Sequence, residues 1–281
     1  MSDRDAPLAA WLDWYALMGV TDVVGEHAAD RFQAGRSDEP PETAAHSAEA
    51  EAIRTAAPAP RAAPPETVPL GLGDDPYQQG RRTAEACNSL DELIQALRDF
   101  DGCALKTTAL NLCVADGNPE ARIMLIGEAP GAEEDRQGRP FCGPSGQLLD
   151  RMLTTIGLSR ETVYITNLVY WRPPGNRQPS AAEIAVCQPF LERQIELVRP
   201  RVIQFVGGMS ARVLLDAKEG VTRLRGRRFT YQPRSGEPIP ALVMFHPAYL
   251  LRSPVQKRFA WRDLLALQDV AVQENIVSLS G

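Results

Sequence analysis

Residues 122–131 read RIMLIGEAPG, an apolar run over Arg122–Glu128 that breaks into a carboxylate and a proline–glycine turn. A short continuous apolar run bounded by turn residues marks a strand buried on both faces. Three more follow: Val163–Tyr170, Val202–Gly207 and Ala241–His246. Helical spacing fills the intervals. Leu148, Leu149, Met152, Leu153 and Ile156 form one stripe, ended by Gly157. Ser180 and Glu183 make a capping-box pattern ahead of Ile184, Cys187, Leu191, Ile195 and Val198. Met209–Ala217 predicts a third helix, and Trp261, Leu264 and Leu265 mark a last one. Strand and helix in alternation imply an α/β fold, a three-layer α/β/α sandwich around a central four-stranded parallel sheet. Leu224–Tyr231, with Gly226 inside it, is expected to form a small hairpin before the fourth strand.

Upstream the composition changes. Leu8, Trp11, Leu12 and Tyr15 have amphipathic helical spacing, so residues 1–33 are expected to carry a short helix. Residues 34–87 are rich in Ala, Pro and Glu, with eight prolines from Pro40 to Pro76, and are expected to be a disordered linker. Order is expected from Ser89, where Ser89 and Glu92 repeat the capping-box pattern, so that residues 88–281 form the functional domain. Residues 1–80 hold 5 Lys/Arg against 14 Asp/Glu, whereas residues 81–281 hold 25 against 22. The net charge of −6 therefore hides a mildly basic body, which permits a polyanionic partner without demanding one. No apolar run reaches membrane-span length, and the first residues are polar. Five cysteines without paired spacing fit a reducing compartment. The expectation is a cytoplasmic monomer with no membrane association, whose amino-terminal arm is free to engage a protein partner.

Ligands of parallel α/β sheets bind beyond the carboxyl ends of the strands, and three of the four runs end in polar chemistry. The first leads into Gly127-Glu128-Ala129-Pro130-Gly131 and then EDRQGRPF, residues 134–141. The second ends YITN at Asn167 and continues to RPPGNR, residues 172–177. The fourth ends HPAYLLR, residues 246–252. His246 is one of three histidines, and the other two, His27 and His46, lie in the arm. No phosphate-binding glycine loop follows the first strand, which argues against a nucleotide-binding enzyme.

From about Cys103 to Leu265 these ordered motifs resemble the family 4 uracil-DNA glycosylases. The resemblance implies an enzyme that extrudes uridine from DNA, cuts its N-glycosidic bond and leaves an abasic site for base excision repair. It implies that Phe141 stacks on the base, that Asn167 reads its edge, and that Gly127 and Ala129 line the pocket. His246 would donate to O2 of the departing uracil anion. Glu128 and Glu134 would position water and favour the sugar cation, with Glu128 the firmer candidate. Glu133 and Asp135 would form a solvated acidic turn. A sister family carries a catalytic aspartate where this chain has Ala129, and a thymine-excluding tyrosine where it has Gly131. Tyr249, Leu250, Leu251 and Arg252 would supply the apolar wedge and DNA contacts, one of the two leucines packing instead into the core. Arg172 and Arg177, Lys257 and Arg258, and the cluster Arg223, Arg225, Arg227 and Arg228 are candidates for phosphate contact.

Typical members of that family ligate an iron–sulfur cluster with four cysteines. Here Cys103 and Cys187 match two ligand positions, but Phe100 and Trp171 stand at the other two. Two thiolates cannot hold a four-ligand cluster, so neither metal nor cofactor is expected, and Phe100 and Trp171 are expected to fill the space. Cys87, Cys113 and Cys142 are poorly placed as substitutes. A non-turnover uracil-DNA binding protein is the main rival. Relatives that trap the sugar do so through a histidine in an inserted loop, and no histidine lies between His46 and His246. An interaction module acting through the arm is the second rival.

Overall fold

The structure, a computed structural model, describes residues 75–276. The expected helix within residues 1–33 and most of the expected linker lie outside that range. The linker's last part is not one: Pro76–Ala86 is a helix, α1. Asp75 caps it by accepting from the Tyr77 amide, and Pro76 occupies the first turn. Its buried face is Gly80 and Ala84, small enough to bring the helix against Phe190 and Phe100. A contact face made of small residues leaves no apolar stripe, which is why composition misread it.

Helix α2 (Leu90–Asp99) begins with the Ser89 side chain accepting from the Glu92 amide. Strands β1 (Ala115–Gly117) and β2 (Ile123–Gly127) follow, then α3 (Ala132–Gln137) and α4 (Pro144–Thr154). After β3 (Val163–Asn167) come α5 (Ala181–Val198), β4 (Val202–Val206), α6 (Gly208–Leu214) and α7 (Val221–Leu224). The described chain closes with β5 (Phe229–Tyr231), β6 (Ile239–Met244), α8 (Pro247–Arg252) and α9 (Lys257–Gln273).

The sheet runs β1-β3-β2-β4-β6-β5. Its four inner strands are parallel, as expected, and β1 and β5 add antiparallel edges. The anticipated hairpin within Leu224–Tyr231 is instead the end of helix α7 and a strand, β5, that pairs with β6; Gly226 makes the turn between them with φ +75°. The second apolar run is longer than its strand. Past Asn167 the residues Leu168–Trp171 stay buried, but only the Leu168 and Val169 amides still bond to the β2 side, at the Gly127 and Glu128 carbonyls. Apolarity records burial, not pairing.

Alternation sorts the core into two layers. Met124, Ile126, Tyr164, Ile203, Phe205 and Val243 face α1, α2 and α5. Ile123, Leu125, Ile165, Val202, Val206 and Met244 face α4 and α9. Within the first layer Gln194 links Tyr164, Tyr170 and Thr166 through buried hydrogen bonds of 2.7–3.2 Å, so those polar groups are satisfied. The second layer is pinned to α7 by Arg225, whose guanidinium meets both Asp263 oxygens at 2.7 and 2.9 Å. Burial still pushes Asp263 up to about 6 against the pull of Arg225. No described helix is long and apolar enough to cross a membrane.

Candidate functional site

The four inner strands deliver their carboxyl ends to one edge, and a cavity of about 440 Å³ opens there. Phe141, Asn167 and His246, from three separate segments, all line it, together with Glu128, Ala129 and Glu134. The Phe141 and His246 rings lie 5.5 Å apart and 28° from parallel. Gly127 is the reason the Asn167 and Phe141 side chains can approach each other. A Cβ there would overlap Asn167 Oδ1 and come within 2.7 Å of the Phe141 ring. Asn167 pairs with Gly127 at the end of the β2–β3 ladder and is 1% exposed. Its Oδ1 is buried and has no hydrogen-bond partner among the described residues. A buried acceptor left unpaired costs about 1–3 kcal/mol.

Phe141 sits at φ +52°, the left-handed region that costs a non-glycine residue about 1 kcal/mol or more. Two features hold it there. Gly146 has no Cβ, and one would overlap the Phe141 carbonyl. Arg160 donates to that carbonyl while bonding Asp116 and, at 2.8 Å, Asp150. Arg160 belongs to no recognisable motif, and nothing in the linear sequence connects it to Phe141.

His246 caps helix α8. Its Nδ1 accepts from the Ala248 amide at 3.1 Å, which puts the proton of the neutral ring on Nε2. Burial, and then the nearby Arg252, depress the imidazole to about 4. The ring is therefore neutral at neutral pH, with one N–H to offer.

Four carboxylates of this segment have different environments. Glu128 is half-buried at the cavity, and burial pushes its carboxyl up from the usual range against the opposing pull of Arg212. Glu134 ties the start of α3 to two backbone amides: Oε2 accepts from the Gly131 amide at 3.1 Å and Oε1 from the Gly143 amide at 2.9 Å. Asp135 departs from the expected solvated turn. It is 2% exposed and accepts from the Leu110 and Asn111 amides at 2.8 and 3.1 Å. Only Glu133, half-buried and bonded to Arg136 and Gln137, stays near the surface.

Tyr249 and Arg252 line the cavity mouth. Leu250 does not belong with them: it is fully buried in the second layer, and Leu251 is the exposed leucine. Adjacent helix residues point about 100° apart, so one leucine of the pair can enter the core while the other faces solvent. Several expected phosphate ligands are also committed elsewhere. Arg225 is locked to Asp263, Arg227 pairs with Glu219, and Arg228 bonds Gln273. Arg177 lines the cavity but is paired with Glu183, whose carboxyl it pulls down to about 2. Arg172 bonds Asn176 at 2.7 Å and reaches toward Asp135 at 3.9 Å, bracing its loop against α3.

The cluster positions do not fit an iron–sulfur group. Phe100 and Trp171 are buried aromatic side chains, Phe100 packing on Phe190 at 5.0 Å and Trp171 edge-on to Tyr170 at 6.3 Å. Cys103 and Cys187 face each other with sulfurs 3.9 Å apart. The remaining thiols are placed elsewhere: Cys87 donates to the Thr83 carbonyl, Cys113 to the Glu134 carbonyl, and Cys142 sits beside the stacking phenylalanine.

The strand ends of the α/β/α sandwich thus converge on an aromatic ring, an unpaired amide oxygen and a neutral imidazole. The model of the uracil DNA glycosylase superfamily matches residues 114–265, over half of the chain. The chain is 41% identical over 188 residues to a type-4 uracil-DNA glycosylase of Thermotoga maritima, covering 66% of this chain and 94% of that protein. It is 38% identical over 170 residues to one of Archaeoglobus fulgidus, covering 59% and 85%. The protein belongs to the uracil DNA glycosylase superfamily.

His246 sets a pH dependence. Its folded value of about 4 lies below the ordinary 6.5, so between those limits the unfolded chain takes up a proton that the folded ring refuses. Its contribution to stability is complete above pH 6.5 and is lost as pH falls through about 4. In an NMR titration the ring nitrogens of His246 are expected to stay in the Nε2–H neutral form at pH 6 and to shift only near pH 4; a midpoint at or above 6.5 contradicts the burial.

Proposed function

We propose that this protein excises uracil from DNA, breaking the C1′–N1 bond and adding water at C1′ to leave an abasic site. The observation that carries this reading is the buried, unpaired Asn167 Oδ1 beside Phe141 and His246. The base is too deep in a duplex for chemistry, so it is flipped into the cavity. It stacks on Phe141. Its N3–H donates to Asn167 Oδ1, and its O4 accepts from the same amide. Cytosine has an acceptor at N3 and an amino donor at C4, and so mispairs twice.

As the glycosidic bond lengthens, negative charge gathers on the uracil ring. His246 Nε2–H donates to O2, an electrostatic role that needs no positive charge on the imidazole. Glu128 is the cavity carboxylate not tied to backbone amides, and it orients water and faces the developing sugar cation. Glu134 has a different task. Both of its oxygens accept backbone N–H groups, and Oε2 would stand 2.7 Å from a Cβ on Gly131. Its carboxylate fills the space a larger side chain at 131 would take, and so bars a 5-methyl group. Leu251 enters the gap left by the flipped base, with Tyr249 and Arg252 beside it.

The protein performs this reaction without an iron–sulfur cluster. The reading is supported by the aromatic side chains at two ligand positions and by the separate engagements of Cys87 and Cys113. Iron analysis of protein purified without oxygen is expected to give far less than one iron per chain. Stoichiometric iron with a visible charge-transfer band would overturn this.

On a uracil-containing oligonucleotide, His246→Ala and Asn167→Ala are each expected to lower the excision rate about a hundredfold or more, as when other charge-stabilising donors are removed. The wild-type product should be an alkali-labile site. Near-wild-type rates in both variants would remove the proposed roles, and a protein–DNA adduct stable to denaturation would favour trapping over turnover.

A further inference from the structure

Four large apolar side chains are exposed among the described residues: Leu110, Leu251, Val255 and Leu265. Leu251 and Val255 follow His246 on the segment at the cavity mouth. Leu110 comes from elsewhere in the chain, yet topology brings it to the same edge. β1 runs antiparallel to β3 with Ala115 opposite Thr166, so β1 starts where β3 ends. The residues just before β1 therefore lie at the site edge, and the Cys113 amide bonds the Tyr170 carbonyl there at 2.9 Å.

A wet leucine is ordinary. The way this one is held is not. Leu110 is 75% exposed, while the carboxylate beneath it, Asp135, is 2% exposed. Asp135 Oδ1 accepts the Leu110 and Asn111 amides at 2.8 and 3.1 Å, and Asn111 Nδ2 donates back to the Asp135 carbonyl at 2.7 Å. Burying a carboxylate is costly unless its hydrogen bonds are made. Here those bonds fix the backbone of a loop whose tip is an apolar side chain facing solvent. Asp135 lies next to Glu134, which lines the cavity, and Arg172 approaches Asp135 from the loop after β3.

We infer that Leu110 is a second apolar contact for DNA, carried on the loop tied to α3 at the site edge of the sheet and packing against a nucleotide that flanks the extruded uridine. This rests on the glycosylase reading above. A rigid wedge loses little entropy on contact, which is the reason to clamp it before DNA arrives.

The test is steady-state excision by Leu110→Gln on single- and double-stranded uracil oligonucleotides, with 2-aminopurine beside the uridine as a stacking reporter. Removing one such contact is expected to raise KM about fivefold to tenfold while kcat stays within about twofold. The 2-aminopurine signal should change, and the melting temperature should not, because the side chain is already exposed. Asp135→Asn, which weakens the clamp, should raise KM in the same direction; Leu110→Gln decides the matter if that variant folds poorly. KM and reporter signal both unchanged in Leu110→Gln overturn the inference, including the case in which Leu110 serves a protein partner. If the wild-type protein excises no uracil, the glycosylase reading fails by itself, and oligonucleotide binding by fluorescence anisotropy still reads Leu110: equal affinity of variant and wild type overturns the contact.

Discussion

Asn167 ends β3 with its amide oxygen sealed from solvent and bonded to no described group. The neighbouring backbone leaves room for it. Gly127, its partner across the ladder, lacks the Cβ that would collide with that oxygen, and the same gap admits the edge of Phe141. A polar atom held dry and unsatisfied destabilises the protein, and under the proposed function a uracil N–H would offset that cost. Selectivity then follows from the geometry: a ligand with an acceptor in that place leaves two acceptors facing each other.

The surrounding frame is organised to keep this arrangement still. The left-handed Phe141 is held by Arg160 and by the absence of a side chain at Gly146. His246 gives Nδ1 to the first turn of its own helix, which fixes the ring and leaves Nε2–H as its donor. Glu128, Glu134 and Asp135 show how environment divides like residues. One is half-buried at the cavity, one is bridged by two backbone amides, and one is buried to clamp a neighbouring loop. Sites held within a few tenths of an ångström by such supports are the ones that lower barriers.

Much of this was legible in the sequence. The four apolar runs predicted the four parallel strands because burial on both faces leaves a continuous signal. Asn167 and His246 stood at or just past strand ends, where this class of sheet places ligands, and Phe141 was marked by the resemblance of its motif; the three line one cavity. The edge strands β1 and β5 were not legible: three residues each, half-polar, they pair only because a neighbour offers an open edge. Helix α1 was hidden by its small contact residues. Leu250 and Leu251 could not be told apart without the helix phase, and Arg225 read as a surface cation until Asp263, thirty-eight residues away, came to face it. Asp135 is the same case in reverse, an acid that looks solvated and is spent on backbone amides of a distant segment. Long-range pairing of charges leaves no local trace.

The central claim is that Asn167 Oδ1 waits for a donor on an extrahelical uracil. A crystal structure of the protein with free uracil tests it most directly. The ring should lie flat against Phe141, with N3 within hydrogen-bond distance of Asn167 Oδ1 and O2 facing His246 Nε2. Uracil bound elsewhere, or an Asn167 oxygen already paired with a protein group in the empty site, would contradict it.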